Sequence, residues 1–179
     1  MNETQKKKRK SKMEEKALTL RKSFWPNIAD EELWDRKLNV GFTTLPRTMS
    51  LIMGIIDSLS NKGQPAGQTY FVLWCHVFYE SFLTIDNPSL FASETGFSGE
   101  RALHTWKQRM KQLKEMGFID TKEGASGDFN YVLILNPHVV INRKKNDIQA
   151  SRFRQIQVRA LDIGAKDFQD IHPIDKERE

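Results

Sequence analysis

A mainly α fold carrying one small β-hairpin, an α+β chain, is what the sequence predicts. Three observations predict it. Apolar residues recur at helical spacing in most segments between Leu45 and Leu113; the stretch from Phe118 to Leu135 is rich in strand formers around a loop with two glycines; and capping residues, proline and glycine punctuate the segment ends.

The N-terminal residues 1–22 open with Lys6, Lys7, Lys8, Arg9, Lys10 and Lys12 and lack apolar residues at useful density, so a disordered or partly helical tail is expected. Such a tail serves either as a solubilising segment or as an arm on phosphate; a nuclear import signal has the same composition. Residues 23–61 read as a helical segment packing on the core. Phe24, Trp25, Pro26, Ile28, Leu33 and Trp34 form an aromatic cluster, with Asp30 placed to cap a short helix through Trp34. The two tryptophans are expected to pack on the domain or on a second subunit. Thr44 and Pro46 open the next helix, with Leu45, Met49, Ile52, Ile55, Ile56 and Leu59 on its inner side to about Ser60.

Residues 61–67 are a loop by composition, and a unit over 67–142 follows. From Gln68 to Leu83 the chain is apolar almost all round, which predicts one buried central helix. Cys75 and His76 stand side by side in it. Neighbours on a helix point about 100° apart, and no second Cys/His pair at ligand spacing exists, so a packed thiol and a partly buried imidazole are expected rather than a metal site. Asn87 and Pro88 start a short helix to Glu94, Gly96 turns the chain, and Ser98 is expected to cap a long helix ending at Met116 and Gly117. Strands over 118–122 and 129–135 follow, joined by the loop 123–128. Asn136 and Pro137 end the second strand and start a further helix, leading into a second basic block, Arg143, Lys144 and Lys145. The extension 143–179 is expected to be helical over 148–163, with Phe153, Ile156, Ala160 and Ile163 on one side, and frayed and acidic from Asp167 onward. A short helix, a turn, a long basic helix and a hairpin stand in winged helix-turn-helix order, with extra N- and C-terminal helices.

Composition bounds the function. The 39% hydrophobic and 28% charged fractions are ordinary for a globular chain, and no apolar run is long enough for a membrane span. A lone cysteine, Cys75, suits a reducing cytoplasm, where the chain is expected to reside. The net charge of +5 matches that of residues 1–12 alone, and the rest of the chain is balanced. Any nucleic-acid footprint must therefore come from charge placement. Residues 98–116 carry Arg101, Lys107, Arg109, Lys111 and Lys114 against Glu100 and Glu115. With Leu103, Trp106, Met110 and Leu113 on the inner stripe, Arg101, His104, Thr105, Gln108 and Gln112, and nearer the edges Arg109 and Lys111, fall outside it. Those side-chain types bond base edges: arginine to guanine, glutamine to adenine, threonine and histidine more loosely. Lys122 on the hairpin, Ser98 at the head of the helix, and Arg143, Lys144 and Lys145 complete the expected DNA-binding set.

From Ser98 to Ile141 the chain resembles the winged-helix domains of bacterial plasmid replication initiators and related mobile-element regulators. The likeness lies in the helix end Leu113-Lys114-Glu115-Met116-Gly117-Phe118-Ile119, the glycine-containing wing, and the exit Tyr131-Val132-Leu133-Ile134-Leu135-Asn136-Pro137. The helix end is shared with many winged helices, including antibiotic-resistance-type repressors. The resemblance, which extends over Gln68 to Ile141, implies that Arg101, Thr105, Gln108 and Arg109 enter the major groove and that Lys122 lies near phosphate. It brings no catalytic residue. A Gly-rich phosphate loop, a His-Glu metal spacing and a nucleophile elbow are all missing, and His76, His104, His138 and His172 are scattered, so no enzyme, cofactor or metal is expected. The expected partner is double-stranded DNA, with a homodimer through the N- or C-terminal helices left open and no membrane. The rival reading is a winged-helix protein-interaction module in a nucleoprotein complex.

Overall fold

The computed structural model describes residues 3–36, 39–77 and 80–168. The chain divides into two compact units, Met1–Phe42 and Thr43–Glu179. Among the described residues it is an α+β fold with seven α-helices and one three-stranded antiparallel sheet.

In the first unit, α1 (Glu3–Phe24) is a continuous helix where a largely disordered tail was an alternative. Its lysines, glutamates and leucines are good helix formers, and Pro26 stops it just after the Trp25 amide bonds to the Arg21 carbonyl at 2.8 Å. The helix expected from Asp30 to Trp34 is only a 3-10 turn, Asp30–Glu32, in which Glu32 accepts the Ala29 amide at 3.1 Å. Within this unit Phe24, Trp25 and Trp34 are mostly exposed, in edge-on pairs Phe24–Trp25 and Trp34–Phe42.

The second unit opens with α2 (Met49–Leu59), which starts later than Thr44. The chain turns at Arg47 and Thr48, and the Thr48 carbonyl accepts the amides of Leu51 and Ile52. Met49, Ile52, Ile55 and Ile56 are buried, as their spacing predicts. Then α3 (Gly67–His76) packs closely on α2. A Cβ on Gly67 would lie 2.7 Å from the Met53 carbonyl oxygen, so only glycine lets the two backbones approach while Asp57 accepts the Gly67 amide.

The single helix expected from Gln68 to Leu83 is corrected. It ends at His76, and Phe82–Thr84 form strand β1. Glu80 and Ser81, with φ of 45° and 62°, take a left-handed bend between them; Phe78 and Tyr79 lie outside the described residues. A run apolar on every side fits either periodicity, and β1 is made by pairing with a strand about fifty residues away. At the end of α3 Cys75 is exposed instead of packed, and His76 Nε2 bonds to the Glu94 carboxylate, 2.5 Å apart.

Helix α4 (Pro88–Glu94) begins as expected, with the Asn87 side chain accepting the Leu90 amide. Helix α5 (Ala102–Glu115) starts beyond Ser98, because Gly99 sits at φ 77°, outside helical space. Arg101 occupies the N-cap position and Ser98 caps nothing. At the other end Gly117 accepts a φ of 80°, and the Phe118 and Gly117 amides close on the carbonyls of Leu113 and Lys114. Strands β2 (Ile119–Gly124) and β3 (Gly127–Ile134) follow, in sheet order β1-β3-β2. Their turn is Ala125-Ser126, shorter than the loop expected over 123–128.

Helix α6 (Pro137–Arg143) is capped by Asn136, which accepts the amides of His138 and Val139. Helix α7 (Ala150–Ile163) buries Ile156 and Ala160 and packs on α2, where Arg152 donates to the Gly54 carbonyl at 3.3 Å. The frayed end expected from Asp167 is corrected for its first two residues: Lys166–Phe168 is a 3-10 turn with Phe168 buried and its carbonyl bonded by Asn142 at 2.7 Å. Residues 169–179, His172 included, lie outside the described residues. The core centres on Trp106, Tyr70 and Phe118, fully buried between α2, α3, α5 and the sheet.

Candidate nucleic-acid interface

Helix α5 is held by one wide buried arc. Trp106, Met110 and Leu113 are wholly inside, and Trp106 meets the rings of Phe91 and Phe129 at 6.3 and 5.9 Å. Burying such side chains stabilises the helix by roughly 1.5–3 kcal/mol each, which fixes its rotation and decides which residues face outward. Those are Arg101, His104, Lys107, Gln108 and Lys111, all exposed, with Thr105 and Leu103 half-buried at the two margins. Gln108 Nε2 lies 3.0 Å from His104 Nε2, one turn away on the same face. Lys111 is 3.8 Å from Glu115, an exposed i,i+4 pair that adds little. Lys107 belongs with this set, and its angular position alone was enough to find it.

Two expected outward residues are turned inward. Arg109 is 6% exposed; its Nε donates to the Pro65 carbonyl at 3.0 Å, its Nη1 to Gln64 Oε1 at 3.2 Å, and its guanidinium stands over the Phe97 ring at 5.7 Å. Burial lowers its pKa from the ordinary arginine value. Gln112 accepts the Asn61 amide at 2.8 Å and donates to Gln64 Oε1 at 3.1 Å. The expectation that Arg109 reads a base, and that Gln112 lies on the open face, is therefore corrected: both clamp the loop 61–66 to α5. Their partners are over forty residues distant in sequence, beyond the reach of helix periodicity.

Lys114 ties α5 to the hairpin, donating to the Thr121 carbonyl at 3.2 Å and to its hydroxyl at 2.9 Å. Thr121 points into the core, so Lys122, the next residue on β2, is exposed on the other face opposite Tyr131. The tip beyond it is anchored: Ser126 Oγ donates to the Ile85 carbonyl, which also accepts Asn130 Nδ2 at 3.0 Å. Ser98 is exposed ahead of α5. The basic block stands on a separate element, the end of α6, where Arg143 and Lys145 are exposed and Lys144 is half-buried. The structure thus gathers Arg101, His104, Gln108 and Lys111 on one face, sets Thr105 at its margin, and carries Lys122 and Arg143 to Lys145 on other elements.

No protein-family model, curated protein or solved structure matches this chain.

One arrangement with the form of a catalytic relay escaped the sequence, in which the histidines looked scattered. His138 Nδ1 is 2.9 Å from Asp167 Oδ2, and His138 Nε2 is 2.7 Å from Thr48 Oγ1. The carboxylate can only accept, so Nδ1 carries a proton and donates to it, while Nε2 pairs with the Thr48 hydroxyl. Burial works to raise the Asp167 carboxyl, but hydrogen bonds from Asn136 and His138, with the His138 charge, outweigh it and hold it below its ordinary value. Thr48 has no accessible surface and His138 is 5% exposed. A hydroxyl sealed from solvent reaches no substrate, so the chain of bonds acts as a tie between α2, α6 and the 3-10 turn. Among the described residues no group of three or more His, Cys, Asp and Glu is placed to hold a metal, and no helix is long and apolar enough to cross a membrane.

Proposed function

We propose that the chain is a sequence-specific double-stranded DNA-binding protein that works through a winged helix, α4 and α5 forming the helix-turn-helix and β2–β3 the wing. The order α3, β1, α4, α5, β2, β3 is compatible with that fold. The observation that carries the reading is the outward face of α5, where Arg101 at the N-cap, His104, Lys107, Gln108 and Lys111 stand together against two acids, Glu100 just ahead of the helix and Glu115 at its end. A solvated helix more often alternates glutamate with lysine at i,i+4 spacing. In the proposed complex α5 lies in the major groove, with Arg101 and Gln108 bonding base edges, His104 and Thr105 making looser contacts, and Lys107 and Lys111 on phosphate. Lys122 meets backbone phosphate from the wing, and Arg143 to Lys145 and the lysine-rich start of α1 add charge. Arg109 has no place in the groove. No reaction is part of the proposal.

Within this reading the biological setting is replication initiation or transcriptional control of a plasmid or mobile element, each needing the same groove-reading helix. Selection of bound fragments from random and plasmid DNA separates them: iterated repeats point to an origin, a palindrome over a promoter to a repressor. The DNA reading itself is tested by fluorescence anisotropy at low salt. Binding is expected, with a salt slope of about −0.9 per neutralised phosphate; a folded sample that ignores duplex DNA overturns it.

A further inference from the structure

Among the described residues β1 and β2 are the outer strands of the sheet, and they are built differently. β2 carries Asp120, Lys122 and Glu123, and its register shifts between Lys122 and Gly124, two devices that discourage pairing. β1, at the other edge, carries only Phe82, Leu83 and Thr84. Its ladder with β3 uses alternate residues: the Ser81 carbonyl accepts the Ile134 amide at 2.7 Å, and the Ile85 amide donates to the Asn130 carbonyl at 2.7 Å. By that alternation the backbone N–H and C=O groups of Phe82 and Thr84 point to the unpaired side.

A groove of about 460 Å³ runs along this side, between β1 and α4, with Phe82, Thr84, Leu90 and Phe91 in its wall. Phe82 and Leu90 are 48% and 47% exposed. The apolar surface continues across the outer sheet face, where Phe82 stacks on Tyr131 at 6.2 Å and Leu133 stands beside it. Among the described residues the groove wall contains Asp86 and no lysine or arginine, its His76 is taken by Glu94, and Glu80 is exposed at the strand's entry. Open strand bonds, apolar pockets and negative charge together suit a protein strand and repel nucleic acid.

We infer that the β1 edge receives an extended segment of a protein partner as a fourth strand, with apolar side chains alternating with lysine or arginine. Apolar side chains fill the groove beside Leu90 and Phe91, and basic ones meet Asp86 and Glu80. A second copy of this chain fits poorly, because β1 against β1 would bring like charges, Asp86 and Glu80, together across the two-fold axis. The site is separate from the outward face of α5.

The test uses full-length, nitrogen-15-labelled protein and a short synthetic peptide alternating valine and lysine. Titration is expected to shift the amide signals around the groove and to slow hydrogen exchange at Phe82 and Thr84. Thr84→Pro removes an outward N–H while leaving the β3 ladder intact, and is expected to weaken the peptide about tenfold. Asp86→Lys leaves the backbone untouched and is expected to weaken it severalfold at low salt, the difference vanishing near about 0.5 M salt. Amide spectra of both variants report whether they fold, and Asp86→Lys carries the test if Thr84→Pro does not. Unchanged Phe82 and Thr84 amides at millimolar peptide, equal binding of a valine–glutamate peptide, or unchanged peptide affinity in both folded variants overturns the inference. Protection of the same amides on raising protein concentration without peptide overturns it too, in favour of self-pairing.

Discussion

Arg109 Nε lies 3.0 Å from the carbonyl oxygen of Pro65, and this one bond changes what the long helix can present. The most polar-looking flank of α5 is an internal seam, where Arg109 and Gln112 satisfy the backbone and side chains of the loop joining α2 to α3. Charge counted along the helix overstates what is free to meet a ligand.

Arg109→Ala therefore acts on stability. Losing charge-assisted bonds to the loop is expected to cost about 1.5–3 kcal/mol in urea unfolding, and Arg109→Lys to recover only part, since an ammonium cannot reach both acceptors as a planar fork does. At a temperature where the variant is folded, its base preference should equal that of the parent. A variant of unchanged stability with altered base preference would return Arg109 to the groove.

The opposite pattern is expected on the open face. Arg101→Ala or Gln108→Ala should leave the unfolding midpoint nearly unchanged and relax preference at single base positions by roughly 1–3 kcal/mol. Deleting residues 1–12 should weaken cognate and random DNA alike and flatten the salt slope, by about 0.9 for each phosphate that the shortened chain leaves unneutralised. Competition anisotropy against single-base variants of a selected site reads both. Equal losses on cognate and random DNA for Arg101→Ala and Gln108→Ala would mean that the helix only holds phosphate.

What the sequence made legible was local. The Asn87 and Asn136 caps, the Gly117 stop and the spacing of Met49, Ile52 and Ile56 each depend on residues within a few positions of one another, and each stands as expected. What it hid depends on distant partners. β1 exists through its pairing with Tyr131 to Leu133, Arg109 turns inward because Pro65 is there, and His138 is ordered by Thr48 and Asp167 from two other elements. On the site, the outward positions of Arg101, His104, Gln108 and Lys111 followed from helix geometry, whereas the width of the buried arc did not, since only tertiary packing sets it.

The tie through His138 gives acid sensitivity of a defined sign. The Asp167 carboxyl is held below its ordinary value in the folded chain, so the unfolded state binds the proton more tightly. The stabilisation is present above the ordinary carboxylate pKa of about 3.9 and is lost as pH falls through the lower folded value. Asp167→Asn should flatten the fall in stability below about pH 4 and lower the neutral-pH midpoint by a matching amount, a small one because nearly half of that side chain is exposed. His138→Ala strands the buried Thr48 hydroxyl and should cost about 1–3 kcal/mol at neutral pH. Identical acid unfolding curves for the parent and Asp167→Asn would remove Asp167 from the account.

The hairpin turns on Gly124. A Cβ there would collide with Asn130 Oδ1, and would lie 2.7 Å from its Cγ and 2.8 Å from Tyr131 Cε2. Asn130 is 2% exposed and its Nδ2 holds the Ile85 carbonyl at 3.0 Å, so it cannot step aside without leaving a buried amide unpaired. Gly124→Ala is expected to cost about 1–3 kcal/mol and to loosen β2 from β3 near the tip, seen as faster hydrogen exchange there. If Lys122 meets phosphate from this hairpin, the same variant weakens DNA binding evenly across sequences and leaves base preference alone, since α5 is untouched. Lys122→Ala, which disturbs no packing, should reproduce the loss in DNA binding without the loss in stability. A Gly124→Ala hairpin as stable as the parent would show that Asn130 has another place to go, and full DNA affinity in Lys122→Ala would take the hairpin out of the interface.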